Sequence, residues 1–269
     1  MARLGCGTIL YGGHPLEAAL DGIRRAGFDA IELAAIPGMA EHLSVHASDA
    51  AIRSIRAAAA DRALSIESIG ASTDVLDAAK RDRFRHLIHL AAALGAPAIT
   101  TGSGGVSDDP DSWRAMVAIW RDLAVTAAAV GIRLSVKPHV RAAVYSTLTA
   151  ERFIAEVDSS DVGLNIDGSH LWRVNEDPVA AIRRLAPHVA TARIRDAGPR
   201  DAAGPGAIEQ QIPGGGLMDV AAIAAEFART RAPYLVLEIV GTRDFSLAAV
   251  QDVVERSHAA LRAMTGEAA

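Results

Sequence analysis

Short apolar runs alternate along this chain with longer stretches whose apolar positions recur every three to four residues, the periods of buried strands and amphipathic helices. Residues 4–10 read as a strand, and Pro15 opens a helical run, PLEAALDGIRRAG, that stops at Gly27. The pattern then repeats: a strand over 30–36 with a helix over 50–62, and a strand over 64–71 with a helix over 74–95. The strand at 98–102 leads into a Gly-rich loop, after which DPDSW starts a helix that runs to Gly131 with acids in its first turn, where the dipole favours them. The last four strands are expected over 133–139, 162–167, 190–195 and 234–240. Their helices are TAERFIAEV, DPVAAIRRLA, a run from Met218, and 245–264.

Strands separated by helices must pair in parallel through helical crossovers, and eight such units close a barrel. The expected fold class is therefore α/β, a (β/α)8 TIM barrel forming a single domain over residues 1–269. An open doubly wound sheet is the structural alternative, but GGHP after the first strand lacks the G-x-G-x-x-G turn that usually marks its nucleotide site. One irregular stretch, DAGPRDAAGPGAIEQQIPGGG after the seventh strand, is too long for an ordinary connection and reads as a lid or specificity loop, or else as a mobile surface loop.

Composition narrows the partners. Half the residues are hydrophobic, and the formal net charge is −5, with neither sign gathered into a run. That argues against a nucleic-acid track or a membrane-binding arm and favours a small-molecule partner. The single cysteine, Cys6, allows no internal disulfide, and MARLGCGTIL lacks the build of a secretory signal, so a cytoplasmic location is expected. No apolar stretch is long enough to span a bilayer as a helix.

Catalytic groups of such barrels lie at the carboxyl ends of strands. Four successive strands end in an ionisable residue where the apolar pattern would otherwise continue: Lys137 in RLSVKPH, Asp167 in GLNIDGSH, Arg193 in TARIRD and Glu238 in YLVLEIV. Lone charges there are costly, and two cations with two anions can pair. Glu32, Glu67, Thr101, Ser103, His139 and His170 also fall near strand ends. Of these, Glu32, His139 and His170 are taken as substrate-binding candidates, whereas Glu67, like His14, reads as a satisfied structural group. A purely structural salt-bridge plug is the bland alternative for the cluster of four.

The pieces AGFDAIELA, NIDGSHL, PGGGLMD and YLVLEIVG, in this order and spacing, resemble the xylose-isomerase-like barrel superfamily over nearly the whole chain. The superfamily includes sugar phosphate isomerases and epimerases, dehydratases and endonuclease IV-type repair enzymes. The resemblance implies a divalent Mn or Mg ion held by Glu, Asp, His and Glu from strands five to eight. Asp167 and Glu238 match two of those ligands, and His170 matches a substrate-contacting histidine. The other two positions carry Lys137 in VKPH and Arg193 in ARIRD, which are not ligands for a divalent metal.

The expected activity is therefore proton transfer on a small hydroxy-carbonyl or sugar-like substrate by an isomerase, epimerase or lyase. It would use no metal and no other cofactor, with Lys137, Asp167, Arg193 and Glu238 as catalytic groups. The alternatives are a non-catalytic ligand-binding barrel, or a metal-dependent isomerase with a rearranged site holding Mn or Mg at Asp167 and Glu238. A repair nuclease is disfavoured by the net acidity. By resemblance, a homodimer or homotetramer is expected.

Overall fold

Side chains placed just before each helical run fix where the helices begin. Ser48, Asp77, Asp109, Ser146, Asp177, Asp219 and Ser246 each accept a first-turn backbone N–H, satisfying donors that a helix start leaves open. At the other ends, Gly27 (φ 103°) and Gly95 (φ 75°) adopt left-handed backbone, which stops the helix at little steric cost. In the computed structural model, which describes residues 3–202 and 204–266, this yields helices α1 (Leu16–Ala26), α2 (Asp49–Asp61), α3 (Ala78–Leu94), α4 (Pro110–Val130), α5 (Thr147–Val157), α6 (Gly168–Arg173), α7 (Pro178–Leu185), α8 (Ile208–Gln211), α9 (Val220–Phe227) and α10 (Leu247–Thr265).

The strands are β1 (Arg3–Gly7), β2 (Ala30–Ile36), β3 (Ala40–Glu41), β4 (Ser65–Gly70), β5 (Ala98–Gly102), β6 (Arg133–Lys137), β7 (Val162–Asp167), β8 (Val189–Ile194) and β9 (Tyr234–Leu237). Eight of them pair in parallel in the order β1-β9-β8-β7-β6-β5-β4-β2, and β1 pairs back onto β2, closing the expected barrel. The two-residue β3 pairs antiparallel with β2 outside that ring.

The main apolar core fills the space between barrel wall and helices, and a small interior cluster of Ala30, Tyr234 and Val236 packs inside the barrel. Above it the interior turns polar. Ser135 on β6 and Thr191 on β8 hydrogen-bond at 2.7 Å, although β7 lies between their strands. Because side chains alternate along a strand, Lys137 shares the face of Ser135, and Arg193 shares that of Thr191. Asn165 and Asp167 form the matching pair on β7.

Three expectations on element boundaries are corrected. Residues 8–11 form a 3-10 turn rather than the end of the first strand. The sixth and ninth strands stop at Lys137 and Leu237, short of the expected ends at 139 and 240, although the Glu238 N–H still donates to the Ile194 carbonyl at 3.1 Å. A helix follows β7 directly: Asp167 caps α6 by accepting the Ser169 N–H at 2.9 Å, so NIDGSHL is a strand-to-helix switch that carries His170. Among the described residues no helix is long and apolar enough to cross a membrane.

Candidate active site

The carboxyl ends of the strands surround a cavity of about 380 Å³. Lys137, Glu238, Glu32, Asn165, His139 and His170 line it, together with Thr100, Thr101, Arg141, Arg173 and Arg195. At its floor the Lys137 ammonium donates to both oxygens of Glu238 at 2.7 Å, joining the ends of β6 and β9 across the barrel. Both side chains keep about a tenth of their surface exposed, 12% and 11%, so a ligand can touch them.

Arg193 lies beneath that floor and is fully buried. Its guanidinium donates to Glu32 and to Ser68 (2.8 Å), and stands 3.4 Å from Glu67 and 3.6 Å from Glu238. Burial alone would raise the Glu32 pKa, but Arg193, Lys137 and a 2.5 Å bond from Thr100 hold it below the usual carboxylate range. Burial wins at Glu67, whose pKa is raised despite Arg193 and a 2.5 Å bond from Ser68. Its Oε1 has no hydrogen-bond partner among the described residues.

A second ion pair occupies the β7–β8 side. Arg195 reaches Asp167 at 2.9 Å and donates to Ser169 Oγ at 2.9 Å. Burial opposes ionisation of Asp167, yet Arg195, His170 and Lys137 hold its pKa far below the ordinary value. Burial drives the His170 pKa well down in spite of Asp167, so the ring is neutral. An Arg195 N–H points at His170 Nε2 from 3.3 Å, which assigns the proton to Nδ1, a buried donor with no partner among the described residues. The His139 ring, 4.1 Å from that of His170, is likewise pushed toward the neutral form by burial. Its Nδ1–H donates to the Val140 carbonyl at 2.8 Å, leaving Nε2 as a lone-pair acceptor.

Five of the expected residues thus line the cavity: Lys137, Glu238, Glu32, His139 and His170. Asp167 and Arg193, expected among the catalytic groups, do not line the cavity: both are buried behind it, Asp167 against Arg195 and Arg193 against the glutamates. Thr101 accepts the Thr73 N–H at 2.7 Å and Ser103 accepts the Val144 N–H at 3.1 Å, so both are tied to loop backbone. Sequence reasoning missed Arg195 and Asn165. Strand alternation could have found both, since they sit two residues after Arg193 and two before Asp167. Both amide atoms of the buried Asn165 lack a protein partner among the described residues, and the residue lines the cavity. Such a group calls for a ligand or water.

Glu67 supplies a direct test. A carboxyl with a raised folded-state pKa favours the folded state while protonated, and this contribution is lost as pH climbs from about 4.3, the unfolded value, through the folded one. Glu67→Gln should therefore melt at or above the parent temperature at pH 8, with an advantage that shrinks toward pH 4. Paired melting curves at the two pH values check this, and a variant less stable at pH 8 would refute it.

Among the described residues no three His, Cys, Asp or Glu side chains converge in a way that could hold a metal ion. A family model described as xylose isomerase-like TIM barrel matches residues 20–264. No curated protein matches the chain. Solved structures that resemble it do so at the level of fold. The probable 3-DHS dehydratase AsbF of Bacillus anthracis has a TM-score of 0.79 at 20% identity, covering 96% of this chain and 98% of that one. A D-psicose 3-epimerase crystallised with D-fructose has a TM-score of 0.76 at 18% identity, covering 99% and 100%. A xylose isomerase-like protein from Mycobacterium smegmatis in complex with magnesium has a TM-score of 0.73 at 20% identity, covering 98% of each.

Proposed function

We propose that this chain, which belongs to the xylose isomerase-like TIM barrel family, is a metal-independent enzyme that moves a proton next to the carbonyl of a small sugar-like substrate. Isomerase, epimerase or dehydratase chemistry in general is what the family supports. The observation that carries the finer reading is the Lys137–Glu238 pair on the cavity floor, with 2.7 Å from the ammonium to each carboxylate oxygen.

A divalent ion does not fit this donor set. The two oxygens of Glu238 face an ammonium, Asp167 faces a guanidinium, and Arg193 stands on Glu32. Cations replace the charge that a metal would bring.

In the proposed reaction Glu238 accepts the proton from the carbon beside the substrate carbonyl. As negative charge develops on the carbonyl oxygen, the Lys137 ammonium, already desolvated and fixed, donates to it. Swinging from carboxylate to oxyanion costs Lys137 little reorganisation, because the two acceptors are adjacent. Neutral His139 offers Nε2 as a second proton acceptor at the mouth, and His170 Nδ1–H and the Asn165 amide offer hydrogen bonds to hydroxyls. Arg193 holds the floor from below through its pair with Glu32.

The test couples composition to turnover. Elemental analysis should find no stoichiometric Mn, Mg, Co or Zn, and proton exchange in deuterated water over a panel of ketoses, inososes and hydroxy-ketoacids should be insensitive to a chelator. One equivalent of metal per chain, lost together with exchange on chelation, would sink the metal-independent reading. Ligand binding with no exchange in any member would favour the non-catalytic barrel.

A further inference from the structure

Among the described residues, Asn165 alone has two buried polar side-chain atoms without a hydrogen-bond partner, its amide nitrogen and its amide oxygen. The residue is 1% exposed and borders the barrel-mouth cavity. Leaving a buried donor and a buried acceptor unmet costs stability, so their presence asks for a reason outside the fold. The strands on either side show why the protein does not satisfy them itself. Thr191 stands across from Asn165 on β8 and Ser135 lies below Lys137 on β6, but these two hydroxyls are bonded to each other at 2.7 Å. Lys137 comes one step beyond the last pairing of β6 with β7, Val136 with Leu164, which sets it beside Asn165. Its ammonium is taken up by the two oxygens of Glu238.

A primary amide presents a donor and an acceptor side by side in one plane. An ionised carboxylate offers acceptors only, and would leave the amide oxygen facing another oxygen. A lone hydroxyl meets one of the two atoms well. A carbonyl with a hydroxyl on the next carbon matches both, because its oxygen accepts from the amide nitrogen while its O–H donates to the amide oxygen. The two bonds are compatible when the carbonyl and hydroxyl oxygens lie on the same side in one plane.

We infer that Asn165 determines specificity by reading an α-hydroxy-carbonyl group: its Nδ2–H donates to the reacting carbonyl beside Lys137, and its Oδ1 accepts the hydroxyl of the adjoining carbon. The inference deepens the proposed function, on which it rests in placing that carbonyl over Lys137 and Glu238. It narrows the substrate class to α-hydroxy ketones and aldehydes. As Glu238 takes the proton from the hydroxyl-bearing carbon, the C–H electron pair becomes a C=C bond and the carbonyl π pair moves onto oxygen. The resulting enediolate holds its two oxygens in one plane, the arrangement the amide has already selected. Ammonium and amide then share the new charge as two donors.

The probe is a matched set of six-membered rings: 2-hydroxycyclohexanone, 3-hydroxycyclohexanone, cyclohexanone and cis-cyclohexane-1,2-diol. Each is titrated by magnetic resonance against the parent, Asn165→Leu and Asn165→Ala, the alanine carrying the comparison if leucine does not fit. In the parent the 2-hydroxy ketone should bind about tenfold more tightly than the other three, the worth of one or two added hydrogen bonds. That preference should vanish in the variants, whereas cyclohexanone should bind the variants no more weakly than about twofold below the parent, having no hydroxyl to lose. Proton exchange at the hydroxyl-bearing carbon in deuterated water should fall by about 10² or more, the usual loss on removing one oxyanion donor. A 2-hydroxy ketone that does not bind, or binds no better than cyclohexanone, would overturn the inference. So would a preference or an exchange rate that survives in a folded variant, or a diol showing the same Asn165-dependent gain. An Asn165-dependent preference without proton exchange in the parent would uphold it while refuting the catalytic reading.

Discussion

Replacing Arg193 by alanine should lower the stability of the fold by about 3 to 5 kcal/mol, the usual result of stripping a buried charge network of its central partner. Three carboxyl groups, Glu32, Glu67 and Glu238, converge on this one fully buried guanidinium from β2, β4 and the segment after β9. With the guanidinium gone, Glu32 would have Thr100, Ser68 and the more distant Lys137 against a desolvated charge. At about 2 to 4 °C per kcal/mol for a domain of this size, the melting temperature should drop by roughly 6 to 20 °C. Thermal melts at pH 7 decide the matter. The double variant Arg193→Met/Glu32→Gln should recover part of the loss, because it removes the buried charge that the single variant orphans. If Arg193→Ala melts with the parent, the three glutamates do not depend on it and the description of the floor is wrong.

A second large effect is expected at Glu238, this time on rate. Glu238→Gln keeps the shape and an acceptor for Lys137 but cannot take a proton near neutral pH. Loss of a positioned general base commonly costs a factor of about 10² to 10⁴. Exchange into deuterated water should fall by that much while ligand affinity changes little, since Arg193 keeps Glu32 as partner. Lys137→Ala should differ in kind: it removes the oxyanion donor and also leaves Glu238 facing Arg193 at 3.6 Å alone, so rate and melting temperature should fall together. A Glu238→Gln protein with undiminished exchange would transfer the base role to His139, which lines the cavity and keeps Nε2 as a lone-pair acceptor.

The barrel was legible because its evidence is written in local, repeated terms. Helix caps, Gly stops and eight apolar runs follow from near-neighbour chemistry, and the barrel closes as that repetition requires. Charged strand ends were legible too, since Lys137, Asp167, Arg193 and Glu238 interrupt apolar runs. Their depth was not. One residue of height along a strand separates a lining side chain from one beneath the floor, and sequence alternation gives the face but not the level. Lys137 thus meets the cavity, whereas Arg193 lies under it. The pairing itself also escaped the sequence. Arg193 takes Glu32 and Glu67, from strands on the far side of the barrel, choices set by closure across more than a hundred residues of chain, and Arg195 takes Asp167 from the neighbouring strand.

One carboxylate gathers the two ends of the irregular stretch after β8. Asp196 accepts backbone N–H groups of Ala197, Gly214, Gly216 and Met218 at 2.8 to 3.0 Å, and Gln211 exchanges hydrogen bonds with the backbone of Val240. Both ends of the excursion are therefore fastened to the barrel, while Gly204 and Pro205 in its middle border the cavity. Anchoring of this kind separates two demands that usually compete in an evolving enzyme. Changes in length or composition between the fastened ends can re-cut the entrance for a new substrate without disturbing strand pairing, and so can be sampled one at a time at small cost in folding. The same property marks residues 199–207 as the place where a laboratory library should be built to alter what this barrel accepts.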